Sequence, residues 1–250
     1  MLFKPQNIIR LDSVESTNSF AHELLISHKV ENGTVIVTRN QTKGRGQRGS
    51  VWQAEPGENL TFSVILLPEA LHIDQQFLLN KAFCLAVHDF LIQNELKKVV
   101  VKWPNDVLSN KKKISGILIE NAIRGEYIYS IIGGFGININ QTNLGMSLQN
   151  SATSMRLEKA QMLNLEEMLS GVLSCIEVRY KQALNNEADL LETDYNNALF
   201  QMSEWCVYVA NDKEFMGCIR GVDNGGKLIV EDSTGKKMLF ANKEIRFKIF

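Results

Sequence analysis

The sequence predicts a mixed α+β domain followed by a small β-barrel, and three observations carry that expectation. Up to about residue 200, β-branched runs of strand length alternate with longer stretches of helical period. After Ser203 only short strand patterns remain, separated by turns such as Asp223-Asn224-Gly225-Gly226 and Ser233-Thr234-Gly235. A chain of 250 residues with 44% hydrophobic content can bury a full core, so a large and a small domain are expected over residues 1–200 and 203–250.

The elements follow in order. Ser16-Thr17-Asn18 precedes Phe20, Leu24 and Leu25 on one face, which reads as a capped helix running to about Lys29. Residues 34–38 are β-branched throughout and read as a strand. Pro56-Gly57 marks a turn before a second strand at 60–66. Asp74 is expected to cap a long helix with Phe77, Leu78, Ala82, Leu85 and Leu91 at helical spacing. Strands are expected at 99–103, 114–120 and 127–132, the last two as a hairpin. Pro104-Asn105-Asp106 reads as turn chemistry, and Gly133 and Gly134 as a strand end or a bulge. Helices return at 164–184 and 187–198. The barrel strands fall at 206–210, 215–222, 227–231, 237–241 and 245–249.

Charge is balanced, with 27 Lys+Arg against 28 Asp+Glu and a net charge of −1, so no global field attracts nucleic acid. Cys84, Cys175, Cys206 and Cys218 lack C-x-x-C or zinc-like spacing, and His22, His28, His72 and His88 are equally scattered. The first residues lack the features of a signal peptide, and no apolar run is long enough for a membrane helix. A cytoplasmic protein with reduced thiols is expected.

The most informative stretch is Gly44-Arg45-Gly46-Gln47-Arg48-Gly49, followed by Trp52. Its glycines allow close backbone approach, its arginines suit phosphate or carboxylate, and the tryptophan can cover a flat ring. A dinucleotide-binding loop would need a strand ending at Gly44 and a helix starting near Gly49, and neither pattern is present. A protein kinase would need H-R-D and D-F-G downstream, which are absent, as is a Walker pattern. A flexible surface loop stays open on the loop alone. Three further segments reduce that reading: Lys102-Trp103-Pro104-Asn105-Asp106, residues 111–118 with Lys113 and Gly116, and the glycine-rich 133–138 ending in Asn138. Together they supply cations, a carboxylate, amides and close backbone, which suit an activated nucleotide.

With Glu15-Ser16-Thr17-Asn18, residues 41–52, 102–106, 113–120 and 134–138, the chain resembles the biotin protein ligases, in the family's order over about the first 140 residues. The resemblance implies a class II aminoacyl-tRNA-synthetase-like catalytic domain and an SH3-like C-terminal barrel. It implies activation of biotin with ATP and Mg2+ to biotinyl-5′-AMP, then transfer to one lysine of a biotin carboxyl carrier protein or domain of a carboxylase. Catalysis would come from positioning and electrostatics.

By the same resemblance, Ser16, Thr17 and Gln41 hydrogen-bond the biotin ureido ring, with Asn18 supporting that turn. Gly44, Arg45 and Gly46 close over biotin, Arg45 gripping its carboxylate or the adenylate phosphate, and Gln47 contributes amide bonding. Lys113 bridges carboxylate and α-phosphate, and Gly116 leaves room near biotin. Arg48, Trp52, Asn105 and Asn138 belong to the ATP and adenylate side. Asp106 orients Mg2+ or the incoming lysine.

Two departures stand out: many family members carry arginine where this chain has Gln47 and Ser50. The Ser-Thr-Asn motif at residue 16 leaves no room for the helix-turn-helix domain of some relatives, so DNA binding is not expected. A homodimer through sheet-edge pairing is compatible with the resemblance. The rival readings are a lipoate–protein ligase, which shares the adenylate strategy, and a non-catalytic biotin-binding module.

Overall fold

The structure, a computed structural model, describes residues 1–27, 30–145, 150–185 and 187–248, with the side chain of Arg48 outside the described set. Eight strands form one mixed sheet: β1 (Ile8–Val14), β2 (Thr34–Gln41), β3 (Leu60–Leu66), β4 (Leu71–His72), β5 (Val99–Lys102), β6 (Asp106–Ser109), β7 (Lys112–Arg124) and β8 (Tyr127–Ile137). Their order is β1-β2-β3-β8-β7-β6-β5, with β4 added beside β8. Only β1 and β2 run parallel, because helix α1 (Thr17–Ile26) carries the chain back between them. The other pairings are antiparallel.

Strand periodicity sorts the two faces. Phe62, Val64 and Leu66 of β3 join the large core, where Phe62 stacks on Phe135 at 5.0 Å and Phe83 tilts against Phe135 at 5.4 Å. That core is covered by α2 (Gln76–Gln93), the short α3 (Met155–Lys159), α4 (Leu165–Leu184) and α5 (Ala188–Ala198). On the opposite face α1 sets Ala21 against Ile36, Ile65 and Ile132. Beside α1 that face carries polar groups, and the functional residues gather there.

A second sheet comprises β9 (Trp205–Ala210), β10 (Lys213–Val222), β11 (Leu228–Asp232), β12 (Lys237–Phe240) and β13 (Ile245–Phe247), ordered β12-β11-β10-β9-β13. A register shift between Ile219 and Gly221 bends β10. Rings from both edge strands converge inside the curl: Phe240 stacks on Phe215 at 5.9 Å, and Phe247 meets Tyr208 edge-on at 5.6 Å. The arrangement is barrel-like, but no β12–β13 pairing closes it among the described residues. Contacts through Trp103 and Phe200 help fasten it to the first sheet. Trp103 Nε1 donates to the Gly226 carbonyl at 3.0 Å, Phe200 N donates to Val101 O at 2.8 Å, and Phe200 stacks on Phe247 at 6.2 Å.

Several expectations need correction. His72, not Asp74, caps the α2 region: its Nδ1 accepts from Asp74 N, while Gln75 Oε1 accepts from His72 N, and a 3-10 turn at Ile73–Gln75 precedes the helix. Asp74 lies inside that first turn. Asp106 begins strand β6, paired with Lys102, rather than ending a turn, since the three residues Trp103-Pro104-Asn105 suffice to reverse the chain. Gly133 and Gly134 continue β8 in register against both β3 and β7, with no bulge there. β1 gave no pattern because it is an edge strand with no buried position. The expected α1 end at Lys29 and the last residue of the expected 245–249 strand lie outside the described residues.

Candidate functional site

Two cavities open on the α1 face and meet at Lys113. The first, about 740 Å³, is lined by Ser16, Thr17, Asn18, Gln41, Arg45, Gly46, Gln47, Trp52, Asn105, Asp106, Lys113 and Gly116, among others. The second, about 1170 Å³, shares Trp52, Lys102, Asp106 and Lys113 and adds Asn138. Gly44 does not line either cavity; it sits at the base of the loop, where Trp52 N donates to Gly44 O at 3.1 Å. A Cβ on Gly44 would lie 2.2 Å from Trp52 O, so the two loop arms can close only around glycine.

The N-terminus of α1 builds the deep polar end. Ser16 caps the helix through Ser19 N. Thr17 N donates to Gln41 Oε1 at 2.9 Å, tying the helix start to the end of β2. The buried Ser63 hydroxyl donates to Asn18 Oδ1 at 2.6 Å and lies 2.7 Å from Thr17 Oγ1. Asn18 Nδ2 in turn donates to Glu120 Oε2 at 2.6 Å. Five side chains, Thr17 and Asn18 from the helix and Gln41, Ser63 and Glu120 from three strands, thus hold one another in fixed rotamers at the cavity end. Gly134 is needed beneath them, because a Cβ there would fall 2.3 Å from Asn18 Oδ1.

A β-bulge aims the central lysine. β6 pairs Val107 with Ser115 but Leu108 with Lys113, so Ile114 is the extra residue. Strict alternation would put Lys113 and Gly116 on opposite faces; with Ile114 turned into the core, both face the cavities. Segment 151–153 clamps the Lys113 backbone on both sides, through Lys113 N to Ser151 O at 2.8 Å and Thr153 N to Lys113 O at 2.9 Å. The side chain then reaches Asp106 Oδ1 at 2.7 Å and lies 5.6 Å from the Trp52 ring centroid. Trp52 rests on a glycine floor: a Cβ on Gly136 would lie 2.2 Å from the indole and one on Gly116 3.3 Å.

Charge at this seam is net positive. Lys102 lines both cavities, its Nζ 5.4 Å from the Phe247 ring centroid. Burial pushes the Lys102 ammonium below the ordinary lysine value; Asp106 opposes that shift and Lys113 adds to it. Two lysines around one carboxylate leave an excess cation where the cavities join, suited to a phosphate. Under the corner, Asn80 Nδ2 donates to Pro104 O at 2.6 Å and fixes Asn105 and Asp106 from the core side. Asn105 Nδ2 donates to Ile117 O at 2.6 Å. Asn138 lines the second cavity with one amide N–H bound to Thr153 O at 3.0 Å.

The loop over the first cavity folds on itself. Arg45 bridges to Val51, Gly46 N donates to Ser50 O at 2.7 Å, and residues Gln47–Gly49 make one 3-10 turn. Arg45 points across the mouth to Glu120 Oε2 at 3.0 Å, and His22 Nε2 lies 3.7 Å from the same oxygen. The Arg48 side chain lies outside the described residues. Sequence reasoning placed Lys102 in a candidate segment without giving it a role, and it missed Ser63, Glu120 and the wall supplied by Asn242, Lys243, Ile245, Arg246 and Phe247. Ser63 had a signal, a hydroxyl inside an otherwise apolar strand; the far wall had none.

Comparison with known proteins agrees with this arrangement. The family model described as biotin/lipoate A/B protein ligase family matches residues 11–138, just over half of the chain. The bifunctional ligase/repressor BirA of Bacillus subtilis is 28% identical over 238 residues, covering 94% of this chain and 73% of the relative. The biotin–[acetyl-CoA-carboxylase] ligase of Paracoccus denitrificans is 26% identical over 237 residues, covering 92% and 96%. Among solved structures, the biotin protein ligase from Aquifex aeolicus in complex with biotin and ATP superposes with a TM-score of 0.79 at 26% identity, covering 97% of this chain and all of that one. The mixed sheet, the glycine–arginine loop and the lysine seam thus stand in a chain that belongs to the biotin/lipoate A/B protein ligase family.

Proposed function

We propose that the chain is an ATP-dependent biotin protein ligase, which makes biotinyl-5′-AMP and passes biotin to one lysine of a biotin carboxyl carrier protein or domain. The observation that carries the reading is Lys113 Nζ, held by Asp106 where a polar-ended cavity meets a second one floored by glycine and Trp52. Relatives whose names give biotin ligation, and a neighbour solved with biotin and ATP, support it.

In the first step a biotin carboxylate oxygen attacks the α-phosphorus of ATP, the bond to the β-phosphate oxygen breaks, and pyrophosphate leaves. Two anions must meet, and Lys113, with Lys102 beside it, lowers that repulsion. In the second step a neutral carrier amine attacks the acyl carbon, AMP leaves, and the amine gives up a proton. Asp106 keeps Lys113 aimed in both steps. Ser16, Thr17 and Gln41 take the ureido end, with Asn18 fixing the helix start. Arg45, once released by Glu120, meets the carboxylate or phosphate, and Gly44 and Gly46 let the loop fold over. Trp52 and Asn138 take the adenine, and Asn105 and Arg48 belong to the phosphate side.

Mg2+ enters this reading with its nucleotide. Among the described residues no cluster of three His, Cys, Asp or Glu side chains could hold a metal, and Asp106 is already paired with Lys113. The ion therefore counts in this reading as part of the substrate Mg-ATP, with Asp106 the carboxylate beside its phosphates.

The test is transfer itself. Incubated with biotin, Mg-ATP and a biotin carboxyl carrier domain, the protein should add one biotinyl group to the carrier by mass spectrometry. A carrier with its acceptor lysine changed to arginine should stay unmodified. Lys113→Ala should slow transfer on the order of 10³-fold; near-normal transfer would refute its role.

A further inference from the structure

We infer that the C-terminal sheet latches the loop over the ligand cavity through the hydrogen bond from Asn242 Nδ2 to Gln47 Oε1 at 2.7 Å, and that this latch sets how long the adenylate is retained. The inference rests on the ligase reading and adds a control element to the same site.

The two ends of the latch belong to different parts of the fold. Asn242 sits between β12 and β13 in a turn held internally, with Glu244 N donating to Ala241 O at 3.0 Å and Ala241 N donating to Glu244 Oε2 at 2.7 Å. That turn belongs to a sheet fastened to the catalytic face through Trp103–Gly226 and Phe200–Phe247. Gln47 belongs to a loop that closes on itself through Gly46–Ser50 and Arg45–Val51. Away from its base, this loop crosses to β7 through Arg45–Glu120, an exposed pair that the substrate must take over. Gln47–Asn242 is a neutral pair on the other side of the loop, so a bound anion does not compete for it.

The residue type at position 47 fits the role. Asn242 offers a donor, and the glutamine oxygen accepts it. An arginine at this position would have no acceptor and could not form the bond. Residues 242–247 also line the first cavity, so the latch joins the lid to a wall already in place.

A double-mutant cycle on the full chain tests the latch. Biotinyl-5′-AMP is formed from biotin and Mg-ATP with pyrophosphatase present, and its release is timed by dilution into unlabelled biotinyl-5′-AMP. Gln47→Met and Asn242→Ala should each speed release about fivefold, the worth of one neutral hydrogen bond. The double variant should release no faster than either single one. Asn242→Ala should still form one adenylate per chain, which separates the latch from the chemistry. Unchanged release in Asn242→Ala, or about 25-fold faster release in the double variant, would overturn the latch while leaving the ligase reading intact. Absence of adenylate with the wild-type chain would instead remove the ligase reading, and the latch with it.

Discussion

Lys102 lies between the Phe247 ring and the field of Lys113, and its ammonium gives up its proton below the ordinary lysine value of 10.5. Only the charged form attracts the phosphates of ATP. That charge is present below the lowered value and is lost as pH rises through it. The profile of kcat/KM for ATP should accordingly show an alkaline limb that begins below the usual lysine range. Lys102→Arg should move that limb to higher pH, because the guanidinium stays charged; a limb unmoved by the substitution would contradict the assignment. At this scale the sequence was legible where chemistry and spacing coincide: the glycine–arginine loop, Lys113 and the Ser-Thr-Asn cap all line or border the cavities. The direction of Lys113 was not legible. It depends on the Ile114 bulge, whose position is set by pairing with β6, and that strand left only turn residues as a trace.

The elements behind the site hold together through charge as well as apolar contact. Arg179 of α4 reaches Asp89 of α2 at 2.6 Å and Asp194 of α5 at 2.5 Å, locking three helices behind the sheet. Burial pushes the Asp89 carboxyl up, but hydrogen bonds from His88 and Arg179 outweigh it and hold the group below the usual range. Stability from this pairing is thus full at neutral pH and lost as pH falls through the lowered Asp89 value. Arg179→Met should destabilise the fold by about 2 kcal/mol at pH 7, less than for a fully buried pair because both carboxylates keep some solvent. The difference should begin to shrink below about pH 4, the unfolded carboxyl value, and go on shrinking as pH falls through the lowered Asp89 value. Urea melts at several pH values check this, and a cost independent of pH would contradict it. Helices and buried strands were the most readable elements: α4 buries Leu169, Val172, Leu173, Ile176, Tyr180 and Ala183 at helical spacing, and β3 is buried along its whole apolar run. The α2 cap was misassigned because a histidine rarely serves, and only the Gln75 return bond reveals it.

Across the whole molecule, the first cavity draws walls from residues 16–18, 102–118 and 242–247. The first two announce themselves in local motifs. The third does not, because its part in the site comes from how two sheets are fastened, through contacts such as Trp103 to Gly226 across 123 positions. The family resemblance located the chemistry, and the fold supplied the counter-ion Glu120, the second lysine and the lid's anchor. The central claim is that biotin and ATP meet at Lys113 to form an adenylate. Exchange of labelled pyrophosphate into ATP reports that step alone, without a carrier protein. The account predicts exchange that depends on biotin, stays at background with lipoate, and falls to background in Lys113→Ala; exchange with lipoate alone, or with neither acid, would contradict it.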